Sequence, residues 1–177
     1  MKIELLDNAI YKGKKLIVEY HTDYYFDVER VENDSEFSFS LVKKAFDKTR
    51  EKVFEDFLIE DWLEKPKLFG AIENGEIIGY LELSHEQWNN RMRISNICVN
   101  EEHRGKGIGK SLMDVAYNTA VEEKARMVIL ETQSCNYKAI RFYQSCGYSI
   151  IGFDLFAYSN MDIDKKEFRI EMGKIVE

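Results

Sequence analysis

The chain has 177 residues, one proline, no low-complexity tract and no internal repeat, which suits a single domain over 1–177 with a sizeable core and no flexible linker. A formal net charge of −7 argues against nucleic acid as a partner, because phosphates need a basic face, and favours the approach of a small cation. No apolar run nears the ~20 residues of a membrane span, the N-terminus lacks a signal peptide's apolar block, and neither the cysteines (Cys98, Cys135, Cys146) nor the three histidines show disulfide or metal-ligand spacing; the expectation is a cytoplasmic protein with no membrane partner and no metal.

In chain order, residues 16–20 read as a short strand, followed by the aromatic segment Tyr24-Tyr25-Phe26. Residues 37–63 read as one helix or two with a break near Thr49, because Leu41, Ala45, Phe46, Val53, Phe54, Phe57, Leu58 and Trp62 recur on one stripe among charges. Pro66 ends that region. Residues 68–73 and 76–84 flank Asn74-Gly75, a two-residue hairpin signal, and a connection through Trp88-Asn89-Asn90 leads to a strand over 92–99. An amphipathic helix over 109–123 buries Leu112, Met113, Val115, Ala116 and Ala120; an apolar and therefore central strand follows over 127–131. A helix over 136–146 closes at Gly147, and residues 149–158 and 167–172 form a final strand pair. The fold class is α/β (α+β): a mixed, mostly antiparallel sheet flanked by helices, with a right-handed parallel crossover between strands 92–99 and 127–131.

The strand over 92–99 feeds Arg104-Gly105-Lys106-Gly107-Ile108-Gly109-Lys110 at a helix start, the chemistry of an anion site: glycines admit a close ligand, unpaired N–H groups point toward it, and cations stand nearby. A Walker A loop fails here, since five residues before Gly109 stands Arg104 rather than glycine. A dinucleotide fingerprint fails too, because the glycines run G-x-G-x-G after an antiparallel meander. The bland alternative is a glycine-rich turn with solvated basic residues.

The loop resembles the R/Q-x-x-G-x-G/A signature of the GNAT N-acetyltransferase superfamily. The run Asn136-Tyr137-Lys138-Ala139-Ile140-Arg141-Phe142-Tyr143-Gln144-Ser145-Cys146-Gly147-Tyr148 resembles that family's second signature, N-x-x-A-x-x-F/L-Y-x-x-x-G-F/Y. Within the superfamily, Tyr24-Tyr25-Phe26-Asp27, Trp88-Asn89-Asn90, Leu130-Glu131-Thr132-Gln133 and Gly152-Phe153-Asp154 are similar to features of streptothricin acetyltransferases. The resemblance implies the acyl-CoA N-acyltransferase fold, with its central parallel strand pair splayed apart. It also implies acetyl-CoA as donor and a small-molecule amine as acceptor, a streptothricin-type antibiotic being the leading case. Aminoglycosides, polyamines and protein amines are rivals, as is a non-catalytic acyl-CoA-binding regulator. The oligomeric state is open, a homodimer included.

By the same resemblance, backbone N–H groups from Arg104 to Lys110 hold the pyrophosphate, Ile97, Cys98 and Val99 meet the pantetheine arm, and Asn136 and Ala139 contact the cofactor. Tyr143 is the candidate general acid, a phenol of pKa about 10. An alkylammonium, also of pKa about 10, needs a base before it can attack. Where many relatives carry a carboxylate, this chain has Ile94-Ser95-Asn96; Glu82 and Glu131 are the remaining options, Glu82 ranked as the base candidate and Glu131 assigned to the acceptor pocket with Tyr24, Tyr25, Trp88 and Asp154.

Overall fold

The computed structural model describes all residues from Met1 to Glu177. In chain order its elements are β1 (Lys2–Leu5), α1 (Asn8–Tyr11), β2 (Lys15–Glu32), β3 (Phe37–Phe57), β4 (Lys67–Glu73), β5 (Glu76–Glu86), β6 (Arg91–Val99), α2 (Ile108–Glu122), β7 (Met127–Gln133), α3 (Tyr137–Ser145), β8 (Ser149–Asp154), α4 (Asp162–Lys165) and β9 (Arg169–Ile175). They fold as two compact units, the first from residues 1–18, 54–130 and 173–177, the second from 19–53 and 131–172. Every passage between the units falls inside a strand (β2, β3, β7 or β9) rather than in a linker.

In the first unit the strand order is β1-β4-β5-β6-β7. Asn74 and Gly75 take φ of 52° and 85°, the paired positive values of a type I′ turn, and so set β4 antiparallel to β5. β5 and β6 are also antiparallel, with one irregularity: Glu82 faces Asn96 and Leu83 faces Ile94, which leaves Ser95 as an extra residue on β6. The α2 crossover returns the chain in parallel, and β7 pairs with β6 only from Arg91↔Met127 to Arg93↔Ile129. Helix α2 packs on β5 and β6, burying Leu112, Met113, Ala116 and Ala120. Strand periodicity sends Leu81 and Leu83 to one side of the sheet and Tyr80 and Glu82 to the other. There Tyr80 joins a cluster with Leu16, Leu58, Ile59 and Leu68, and the cross-strand partners Cys98 and Asn96 lie beside Tyr80 and Glu82.

In the second unit the order is β7-β9-β8, with Phe168, Ile170, Met172 and Ile140 almost fully buried. Ser134 fastens its neighbours: its N–H donates to Phe168, its hydroxyl to the Lys166 carbonyl, and its own carbonyl accepts from Phe26. Asp162, fully buried, accepts from the Tyr158 N–H and the Ser159 hydroxyl, which holds the turn between β8 and β9.

The expected helices over 37–63 are not there. That stretch is β3, which forms a two-stranded sheet with β2 through a turn closed by Asn33 and Glu36. The helical stripe is illusory: Ala45, Val53, Phe54, Phe57 and Trp62 are exposed, while the sheltered positions of β3 include Val42, Lys44, Phe46, Lys52 and Asp56, all of one parity. Charges that would have lined a solvent face make cross-strand partners instead. Lys44 pairs with Asp27 and Glu29, Lys15 with Glu55, and the Thr49 hydroxyl donates to Asp23. The expected strand at 16–20 and the aromatic segment after it are one strand, β2. Strand β1 was not anticipated. The hairpin at Asn74-Gly75, the strands and helices from 92 to 145 and the terminal strand pair all stand where expected, within a few residues.

Removing the Phe168 ring, which is 1% exposed, should cost about 3–5 kcal/mol in Phe168→Ala, whereas Phe37→Ala at a 70% exposed position should cost less than about 0.5. Urea unfolding of the two variants checks the contrast; equal losses would mean that the core is misplaced.

Candidate active site

The glycine loop begins where β6 ends. A single turn of 3-10 helix, Glu101–His103, reverses the chain, and the Arg104 side chain anchors it through Nε to the Val99 carbonyl at 3.0 Å. Gly105 and Gly107 follow with φ of 77° and 84°. A Cβ at either would meet nothing within 4 Å, so these glycines serve backbone conformation rather than close packing. Gly107 is the N-cap of α2 and offers no side chain to the first helical N–H groups. The result is a concave row of backbone donors at the positive end of a helix, with Arg104, Lys106 and Lys110 exposed around it and Ile108 buried beneath. An anion of phosphate size fits this chemistry.

The second component is the edge of β6 itself. Beyond Arg93 it has no partner on β7, so the stretch that includes Ile97, Cys98 and Val99 keeps one row of backbone groups available. At the start of this stretch the hydroxyl of Ser95 is buried with no hydrogen-bond partner. An extended ligand carrying amides suits such an edge. Burial pushes the Cys98 thiol up, and Asp56 adds to the effect against Arg104 and Lys14, so Cys98 is a neutral lining residue rather than a nucleophile.

The third component is a group of carboxylates. Glu82 is fully buried; one oxygen accepts the Ile59 N–H at 2.6 Å and the other the Asn96 amide at 2.9 Å. Burial raises its pKa, the Asn96 and Ile59 bonds oppose this, and the charges of Asp56 and Glu60 reinforce it. Asp56 accepts the Phe57 N–H at 2.8 Å, and burial raises its pKa. Glu60 accepts the Trp62 indole N–H at 2.9 Å. None of these three carboxylates has a lysine or arginine partner, whereas Asp61 and Glu55 next to them pair with Lys12 and Lys15.

In the second unit Asn136 is the N-cap of α3, its Oδ1 accepting the Ala139 N–H at 3.4 Å, and Tyr143 is buried two turns after it beside Phe142. Tyr24 packs against Tyr137 with centroids 5.4 Å apart and the rings tilted by 57°, and the Lys43 ammonium lies over both rings, 3.8 and 4.3 Å from their centres. Tyr25 packs on Phe46. Glu131 and Asp154 come together through Arg169, at 3.6 and 3.4 Å. Trp88 belongs to the first unit, 80% exposed at the β5–β6 turn, with the Arg91 guanidinium over its ring. Asp56, Tyr137 and Lys43 were not singled out in the sequence. Asp56 and Lys43 were hidden in the supposed helices, although alternation along β3 marks the parity of Asp56.

The chain matches the model of the acetyltransferase (GNAT) family over residues 25–148. A streptothricin acetyltransferase of Escherichia coli is 33% identical over 124 residues, which is 70% of this chain and 69% of that one. The crystal structure of a nourseothricin acetyltransferase superimposes with a TM-score of 0.78 at 26% identity, covering 99% of this chain and 98% of the other. A Bacillus anthracis protein solved in complex with acetyl coenzyme A shares the fold, with a TM-score of 0.77 at 22% identity over 99% and 97% of the two chains. The acyl-CoA N-acyltransferase fold is thus the one observed, and its splayed strand pair is β6 and β7.

Glu82 gives this site a pH signature. With its pKa raised by burial, the folded protein keeps that proton at pH values where the unfolded chain has lost it. Its contribution to stability is therefore complete below the ordinary carboxyl range and is lost as pH rises through the raised value. Glu82→Gln should lack that loss, so its unfolding free energy should gain on the wild type between pH 4 and pH 8 in urea titrations; curves that stay parallel would show that Glu82 titrates normally.

Proposed function

We propose that this chain, which belongs to the GNAT acetyltransferase family, transfers the acetyl group of acetyl-CoA to a primary amine of a small cationic acceptor, with a streptothricin-type antibiotic as the leading case. The observation that carries the reading is the glycine row of donors at the start of α2, directly downstream of the open edge of β6. The orphaned Ser95 hydroxyl at the head of that edge supports the fit of an amide-bearing cofactor.

Acetyl-CoA, when bound, supplies an activated acetyl thioester. The backbone from Arg104 to Lys110 would hold its pyrophosphate, Ile97, Cys98 and Val99 would pair with the pantetheine arm, and Asn136 and Ala139 would contact it from the first turn of α3. The Asn136 Oδ1 is engaged in the cap, which leaves its Nδ2 as the donor toward a ligand. Tyr143 is assigned as proton donor to the released thiol. Tyr24, Tyr25, Trp88, Glu131 and Asp154 are assigned to the acceptor. Arg169 offsets the charge of Glu131 and Asp154, so these two suit hydrogen bonding better than they suit holding a lone ammonium. The relationship to streptothricin acetyltransferases and the net charge of −7 both support a cationic acceptor. Residues 1–177 are read as one catalytic domain of the cytoplasm, because no linker separates the two units.

Incubation with acetyl-CoA and a panel of streptothricin, spermidine, kanamycin and short peptides, followed by free-thiol release, tests this. Turnover with streptothricin is expected. Turnover with peptides alone would replace the antibiotic reading, and tight binding of acetyl-CoA without turnover would favour a regulator. Tyr143→Phe should lower turnover by about 10²-fold; an unchanged rate would remove Tyr143 from the proton-donor role.

A further inference from the structure

We infer that Tyr24 and Tyr137 form an alkylammonium-binding site that the chain's own Lys43 fills, and that a cationic acceptor enters it by displacing Lys43, whose competition raises the acceptor's KM. This rests on the acetyltransferase reading above and deepens it. Tyr24 keeps its place beside the acceptor, Tyr137 joins it, and the occupant of the site in the free protein is a lysine of β3.

The rings are held in place before any ligand arrives. Tyr137 is the first residue of α3, directly after the cap Asn136 that the reading above assigns to the cofactor. Phe26 packs against it with centroids 5.9 Å apart, and the Phe26 N–H donates to the Ser134 carbonyl at 3.0 Å, which fastens β2 beside the residue that follows β7. Tyr24 is pinned through the buried Thr22. The Thr22 hydroxyl donates to the Tyr24 carbonyl at 2.8 Å and accepts the Tyr24 N–H at 3.3 Å. Tyr24 still keeps 39% of its surface exposed, so a ligand can reach the ring. All these residues, and Lys43 with them, lie in the second unit.

The occupant shows what the rings accept. Its ammonium stands 3.8 Å from the centre of Tyr24 and 4.3 Å from that of Tyr137, well inside the ~6 Å over which a ring face attracts a cation. Lys43 has no carboxylate partner. Lys44, one residue on and facing the other side of the strand, is 3.0 Å from Asp27 and 3.2 Å from Glu29. Lys43 is also exposed and unbranched, so its ammonium can leave by side-chain rotation alone, with no ion pair to break and no backbone to move. The site is fixed and its occupant is not.

Cation–π attraction depends on the charge and on the ring quadrupole, so the ammonium of an acceptor gains at these rings what Lys43 gains. The two cannot share the site. The rings lie 5.4 Å apart with one ammonium already within 4.3 Å of both centres, and a second cation in contact with the first would be repelled. Lys43 is tethered beside the rings and competes at the high effective concentration of a short tether. A free acceptor therefore binds only to the fraction of molecules from which Lys43 has swung out, and its apparent affinity falls by that fraction. The factor is the same for every acceptor that uses the rings and is absent for one that does not.

The test uses the full chain and whichever panel amine the wild type acetylates. Lys43→Met, which keeps the length of the side chain and removes its charge, should lower KM for that amine by about 3- to 10-fold with kcat little changed. Lys43→Arg, still a cation over the rings, should keep KM near the wild-type value. Lys48→Met removes a charge from the same strand without touching a ring and should leave KM unchanged, which separates displacement from a general loss of positive charge. Tyr24→Leu should raise KM, and adding Lys43→Met to it should no longer bring KM down. A readout without turnover is the NMR signal of the Lys43 ε-methylene in lysine-labelled protein with coenzyme A in place of acetyl-CoA. Ring currents should shift it upfield of the other lysines, and the amine should return it to their position. Wild-type KM in Lys43→Met, with or without a lower melting temperature, or a Lys43 signal that no panel amine moves, overturns the inference and leaves the contact a clamp on the hairpin. A Lys43 signal that moves in a protein that acetylates no amine upholds the site and overturns the acetyltransferase reading instead.

Discussion

β6 and β7 share three residue pairs and then part, and the site depends on that interruption. Backbone N–H and C=O groups within a sheet demand partners, so a strand edge left open in a folded domain is either wetted or filled by a ligand. The interruption has a visible cause upstream: Ser95 is an extra residue in β6 opposite β5, and a bulge of this kind bends the strand that carries it. Past the bulge, β6 runs toward the glycine turn, which converts the end of the strand into the start of a helix. One backbone irregularity thus provides an extended edge and leads into a row of anion-binding donors, the two elements that an acyl-CoA requires.

Polar burial gives the same region its rigidity. A fully buried carboxylate is costly unless hydrogen-bonded, and Glu82 has a backbone donor on one oxygen and an amide on the other. The arrangement ties the end of β3 to β5 and β6. It also concentrates negative charge that no lysine or arginine answers, whereas Asp61 and Glu55 next to it have lysine partners. Such charge lowers stability in the free protein and favours a cation when one arrives, a trade often found where a protein binds its ligand.

Membership of the GNAT family and the likeness to streptothricin acetyltransferases agree with this electrostatics. The two halves of the chemistry have different origins in the chain. Residues assigned to the cofactor lie in compact segments: the end of β6, the glycine turn and the helix α3. Residues assigned to the acceptor, Tyr24, Tyr25, Trp88, Glu131 and Asp154, are spread over β2, the β5–β6 turn, β7 and β8.

The same contrast separates what the sequence determined from what tertiary structure decided. Asn74-Gly75, the glycine spacing from Arg104 to Gly109, and the Asn136 to Tyr143 helix were legible because their causes are local: left-handed φ, a cap, an i to i+4 repeat. Residues 37–63 were not. Their apolar residues recur at helical spacing, and only pairing with β2, through Lys44, Thr49 and Glu55, makes the stretch a strand. That choice then brings the Ile59 N–H, just past β3, to Glu82. A lone glutamate in an apolar strand has no signature of its own; the burial of Glu82 between a backbone donor and the Asn96 amide exists only once these strands have come together.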